Sequence, residues 1–246
     1  MTARPCRQRH ALLPGRVVRP GAAAPFAFWA GAAVAVALAL GGCAQRPPVP
    51  DWQPKADTAM NRTLAAYLNG DDSADAQEFE RARREISRTG RPELLARAEL
   101  MRCAAQVASL DLVPCAGFER LRLDAAGPEQ AYAAYLAGQI APAQVAALPE
   151  QHRAVAASAS SAAALAIDDP LARLVAAGVL LRRGGADPAL IEMAIDTASA
   201  QGWRRPLRAW LGLQLVRAEQ AGAAEAVARL RRRIALLDGP PTGTAR

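Results

Sequence analysis

The sequence predicts an all-α fold, a helical bundle or an α-solenoid of about ten short helices. Three observations carry this. From residue 55 to residue 237 almost every segment has helical period. No run of β-branched residues alternates with polar ones, so a sheet has nothing to be built from. Glycine and proline fall between the periodic segments.

Helices are expected at about 56–69, 74–88, 92–110, 115–125, 128–138, 142–149, 151–167, 170–182, 188–201, 205–220 and 223–237. Asp169-Pro170 and Asp187-Pro188 each place an N-cap acceptor before a proline whose missing donor is harmless in the first turn. Pro92 and Pro142 also open segments, and Pro128 follows Gly127. Gly70, Gly90, Gly138, Gly184-Gly185, Gly202 and Gly222 mark the stops. In the last helix Val227, Leu230, Ile234 and Leu237 form one apolar stripe. Leu94, Ala98, Met101, Ala105 and Ala108 have the same spacing in 92–110. Faces this rich in alanine permit close helix approach.

The N-terminal region is organised differently. Residues 1–25 hold five arginines and no acid, and residues 26–40 are uncharged and apolar. That is the charge order and length of a secretory signal. It is short of the roughly 20 apolar residues of a spanning helix, although an uncleaved anchor is the alternative. Leu40-Gly41-Gly42-Cys43 closes the run. This motif resembles the lipobox of bacterial lipoproteins, in which small residues precede a cysteine. The resemblance covers the leader alone. It implies that residues 1–42 are cleaved and that Cys43 is lipidated at the new amino terminus. With Ala44 next, it also implies the periplasmic face of the outer membrane.

On that reading the mature chain is 43–246, with 25 basic and 23 acidic side chains. The formal +7 of the whole chain falls to +2, which is no signature of nucleic-acid binding. Residues 46–54, RPPVPDWQP, contain four prolines. They are expected to make 43–54 an extended tether. Residues 55–237 form the helical domain, and 238–246 are expected to be a disordered tail.

Ala65-Ala66-Tyr67-Leu68-Asn69-Gly70 recurs as Ala133-Ala134-Tyr135-Leu136-Ala137-Gly138. The offset is twice the 34-residue period of tetratricopeptide repeats, which the rhythm of 122–151 resembles. A solenoid of such repeats and an irregular bundle both remain open.

Cys103 and Cys115 are the cysteines left after Cys43 is lipidated. An even pair in an exported protein favours a disulfide, and Pro114 lets the chain turn back. Two buried free thiols are the alternative. With His152 the sole mature histidine, no four-coordinate zinc set exists, and no metal or other cofactor is expected.

Catalytic constellations are wanting. Ser158, Ser160 and Ser161 lie near His152 in sequence, but along one alanine-rich segment. Glu192 and Asp196 are i,i+4, while Asp71, Asp72, Asp168 and Asp169 sit at helix junctions. They read as solvated groups or caps, since no cleft that would raise one pKa is evident. No catalytic residue is assigned. Arg204, Arg205 and Arg208 beside Trp203 and Trp210 form the candidate partner surface, with Arg182 and Arg183 as additions to it.

The expected function is a lipid-anchored periplasmic module that binds or scaffolds an envelope protein. A peptidoglycan enzyme using paired carboxylates and a purely structural lipoprotein are the alternatives. The expected partners are the membrane, through the anchor, and an envelope protein, with no nucleic acid.

Overall fold

A computed structural model of the protein describes residues 50–238. The leader, Cys43 and the tail beyond Asp238 lie outside the described residues. Every regular element among those described is helical: α1 Trp52–Asn69, α2 Asp72–Ser87, α3 Pro92–Ala108, α4 Ala116–Glu119, α5 Gly127–Leu136, α6 Glu150–Ser158, α7 Ser161–Leu165, α8 Pro170–Arg182, α9 Pro188–Ala200, α10 Arg204–Gln220 and α11 Ala224–Leu237. Single 3-10 segments occupy Arg122–Asp124 and Pro142–Ala147.

The caps follow side-chain chemistry. Asp169 and Asp187 each accept from a backbone N–H three residues on, at 2.7 Å. Gly70, Gly90, Gly138, Gly184, Gly202 and Gly222 all take positive φ. The repeated hexapeptide has a local cause. At its first copy Gly70 N–H donates to Tyr67 O and Asp71 N–H to Ala66 O. At its second, Gly138 donates to Tyr135 O and Gln139 to Ala134 O. Both copies are the same helix-ending turn, with the tyrosine and leucine buried.

Four expectations change. The tether expected to reach residue 54 gives way to α1 at Trp52. Pro54 falls in the first turn of that helix, where a missing N–H forfeits no intrahelical bond. The helix expected over 151–167 breaks at Ala159, whose φ is +51, and Ser160 then caps α7. The 115–125 segment divides into α4 and a 3-10 turn, and 142–149 is largely 3-10.

The helix expected to bury one stripe, 92–110, instead becomes the hub of the fold. α3 buries Ala96, Leu100, Cys103, Ala104, Val107 and Ala108 in the main core as well as Ala98 and Ala105 elsewhere. Met101, assigned to the apolar stripe, is 38% exposed. The main core joins α3 to α5, α8, α9 and α10, while Met60, Phe79 and Ile86 build a second cluster of α1 and α2 against Ala98. α3 packs on α8 and α1 on α10. These are contacts between elements remote in sequence, whereas a repeat array joins neighbours. The architecture is an all-α bundle.

Buried ion pairs fasten α3 to its surroundings. Arg102 donates to both carboxylate oxygens of buried Asp75, at 3.3 and 2.7 Å, with its guanidinium 5.0 Å from the Phe79 ring centroid. Arg83 donates to Glu99 at 2.7 Å. Burial raises the Glu99 pKa, opposed by Arg83, Arg102 and Arg120. Cys103 and Cys115 form a disulfide with Cα atoms 5.8 Å apart, tying the loop after α3 back to that helix. Closing a loop this short stabilises by about 3 kcal/mol. The described residues, 50–238, belong to one compact unit that holds every apolar cluster described.

Candidate functional site

The patch expected at residues 203–210 divides: Arg204 and Arg208 are exposed, Trp203 and Arg205 are half-buried, and Trp210 is buried. Trp210 is 0% exposed, and its indole N–H donates to Ala108 O at 3.0 Å. Trp203 is half-buried against the core. Arg205 lies 4.3 Å over the Tyr67 ring, donates to Tyr67 O at 2.7 Å and pairs with Asp72. Burial pushes the Tyr67 hydroxyl up to about 12. Arg204 donates to Leu237 O and Arg208 pairs with Asp238. Arg182 and Arg183 sit beside Gly138. Arg204, Arg205 and Arg208 thus join α10 to its neighbours by polar contacts.

The other candidate groups are also scattered. Glu192, Asp196 and Asp168 are exposed, and Asp71 and Asp169 cap helices. Ser158 donates to Ala154 O, Ser160 caps α7, and Ser161 donates to Asp187. None pairs with His152.

A different place gathers chemistry. Between α3, α5, the 3-10 segment and α6 lies a groove of about 450 Å³. Leu100, Met101, Tyr132 and Leu148 supply apolar walls. Glu129 and His152 line it although they are only 6% and 2% exposed. Glu129 Oε1 accepts from Arg97 Nε at 2.9 Å and Nη2 at 2.6 Å. Its Oε2 is buried and has no partner, and the same holds for His152 Nδ1. Behind the groove the His152 ring stands 5.0 Å from Tyr135 and 5.6 Å from Tyr132, centroid to centroid. The Tyr135 hydroxyl is buried without a partner too. Burial raises both tyrosine pKa values above the usual phenol range.

Buried polar atoms without partners are uncommon because each costs roughly 1–3 kcal/mol. Two of them belong to residues that line one apolar groove, which puts unused hydrogen-bonding capacity beside a ligand-sized space. The carboxylate oxygen accepts. Neutral imidazole donates or accepts according to tautomer. No nucleophile or second acid faces them from among the residues that line the groove. The arrangement suits binding of an apolar group that carries an N–H or O–H. Sequence reading missed Glu129, Arg97 and Tyr132. The one signal was His152, a lone histidine among alanines.

His152 makes a pH prediction. Burial lowers its pKa from 6.5 to about 4. Between those values the unfolded chain binds more protons than the folded one, so stability is complete above about pH 6.5 and falls as pH drops toward 4. From pH 7 to pH 5 this histidine is expected to remove about 2 kcal/mol, allowing for its burial. Urea denaturation at both pH values checks it. The loss should shrink by that amount in His152→Gln, while an unchanged loss would mean the ring protonates freely.

Comparison with protein-family models, with curated proteins and with solved structures finds no match. Among the described residues no three His, Cys, Asp or Glu side chains group to hold a metal. No described helix is long and apolar enough to cross a membrane.

Proposed function

We propose that this chain is a lipid-anchored bacterial envelope protein whose helical domain binds a partner polypeptide in the groove over Glu129 and His152. The carrying observation is that two residues lining an apolar groove, Glu129 and His152, each hold a buried polar atom without a partner. A partner strand or loop seats one apolar side chain against Leu100, Met101 and Leu148 and directs an N–H at Glu129 Oε2. This groove takes the place of the concave face that a tetratricopeptide-like array would offer. The Leu40-Gly41-Gly42-Cys43 motif after an apolar run supports the anchor. The Cys103–Cys115 disulfide fits an oxidising compartment. Anchoring raises the effective concentration of the groove near envelope partners.

Two readouts test the parts separately. Metabolic labelling with a clickable fatty acid should mark the protein, and Cys43→Ser should abolish the label. Labelling that survives this change removes the anchor. A photo-crosslinking residue at Met101 should capture one discrete protein in intact cells, whereas the same probe at Leu123, 97% exposed and outside the groove, should not. Glu129→Gln keeps an oxygen for Arg97 but turns an amide N–H₂ toward the groove, and should erase the product. Equal capture from Met101 and Leu123 would sink the groove.

A further inference from the structure

The charge of the folded domain is divided sharply. Residues 50–203 carry 15 basic and 20 acidic side chains, for a net −5. Residues 204–237, the α10–α11 hairpin, carry eight basic and two acidic, for a net +6. Within that hairpin the arginines fall into two groups. Arg204, Arg205, Arg208, Arg217 and Arg231 are engaged by backbone carbonyls or carboxylates. Arg229, Arg232 and Arg233 make no ion pair among the described residues.

These three arginines and Leu236 are spaced i, i+3, i+4 and i+7 along α11, which puts them on one helix face, with Glu225 one turn before Arg229 as its single acid. That face is exposed throughout, and Leu236 is 82% exposed. The opposite stripe, led by buried Leu230, holds the helix to the core. Beside the arginines, Arg229 and Arg233 overhang a groove of about 490 Å³ floored by Ile191 and Leu230. Like charges at this spacing repel, and Glu225 offsets only one of the three, so the face keeps an excess of positive charge.

We propose that this face of α11 docks on an anionic lipid surface. Guanidinium matches phosphate oxygens in a two-pronged geometry. A leucine left in water among three arginines has no use against a purely polar anion. At a bilayer it reaches the acyl boundary while the arginines stay at the phosphates. The acidic remainder of the domain is repelled by the same surface, so charge also sets the orientation. None of this requires an acylated Cys43, which would only hold the face within reach.

The test uses the chain from residue 49 onward, which holds the whole compact unit and carries no leader and no acylation site. It is sedimented with vesicles of phosphatidylcholine alone and of phosphatidylcholine mixed with phosphatidylglycerol. Binding is expected to the mixed vesicles only and to weaken as salt is raised. Arg229→Gln/Arg232→Gln/Arg233→Gln should weaken it roughly a hundredfold. Leu236→Ala should weaken it a few-fold. Arg62→Gln/Arg81→Gln/Arg84→Gln, an equal charge loss on the exposed α1–α2 side, should leave it unchanged. Circular dichroism melting confirms that each variant is folded. Equal binding to both vesicle types, or equal loss in the two triple variants, overturns the proposal. Sedimentation without vesicles that is lost in the α11 variant also overturns it, because the face then binds a second copy of the chain.

Discussion

Trp210→Ala is expected to destabilise the domain by about 3–5 kcal/mol, at the upper end for a large buried side chain. The indole is 0% exposed and fills the main core. It also answers a demand made by another helix. α3 ends at Ala108, and the last carbonyls of a helix have no intrahelical donor. Ala108 O receives the indole N–H at 3.0 Å instead. Truncation therefore leaves a cavity and a buried acceptor without a partner. Trp210→Phe keeps most of the volume and loses only the hydrogen bond, so it should cost about 1–2 kcal/mol. Urea denaturation measures both, and the thermal midpoint of Trp210→Ala should fall by about 10 °C or more. A near-neutral Trp210→Ala would return this residue to the surface.

The second large effect is expected at Gly178, inside α8. Replacing a helical glycine by alanine normally gains about 1 kcal/mol. Here a Cβ would stand 2.3 Å from Val107 O and 2.9 Å from Val107 Cγ1. The obstacle is backbone near the end of α3, which cannot rotate aside. Overpacking against it outweighs the propensity gain, and Gly178→Ala is expected to lose about 2–3 kcal/mol net. Gly212 in α10 is the internal control, because a Cβ there meets nothing within 4 Å. Gly212→Ala should be stabilising by about 0.5–1 kcal/mol. The two midpoints, read side by side in urea, should move in opposite directions. Movement of both upward would mean that α3 and α8 separate easily.

The expected binding patch and the observed groove differ for one physical reason. Trp203, Arg204, Arg205, Arg208 and Trp210 are adjacent in sequence, and aromatic residues among arginines look alike whether they serve a partner or a neighbouring helix. Arg205 spans to Tyr67, more than a hundred residues away, and nothing local announces that contact. The groove has the reverse difficulty. Arg97, Glu129 and His152 come from three helices, and each alone reads as a surface ion or a core residue. Only the tertiary structure brings them to one groove and buries Glu129 Oε2 and His152 Nδ1 without partners.

Local chemistry was legible in the chain itself. Helical period, aspartates before prolines and glycines at turn positions determined the all-α class and most helix ends, because each acts within one turn of backbone. The recurring hexapeptide was legible as well, but its meaning as a shared helix-ending turn came from the backbone bonds at Gly70 and Gly138. Where a stop depends on a non-glycine residue, as at Ala159, the sequence carried no mark of it. Tertiary structure decided the rest: that α3 is surrounded, that Trp210 closes its end, and that Gly178 lets α8 touch its backbone. Those outcomes depend on which faces meet, and in a chain whose helices share alanine-rich faces many pairings satisfy the same pattern.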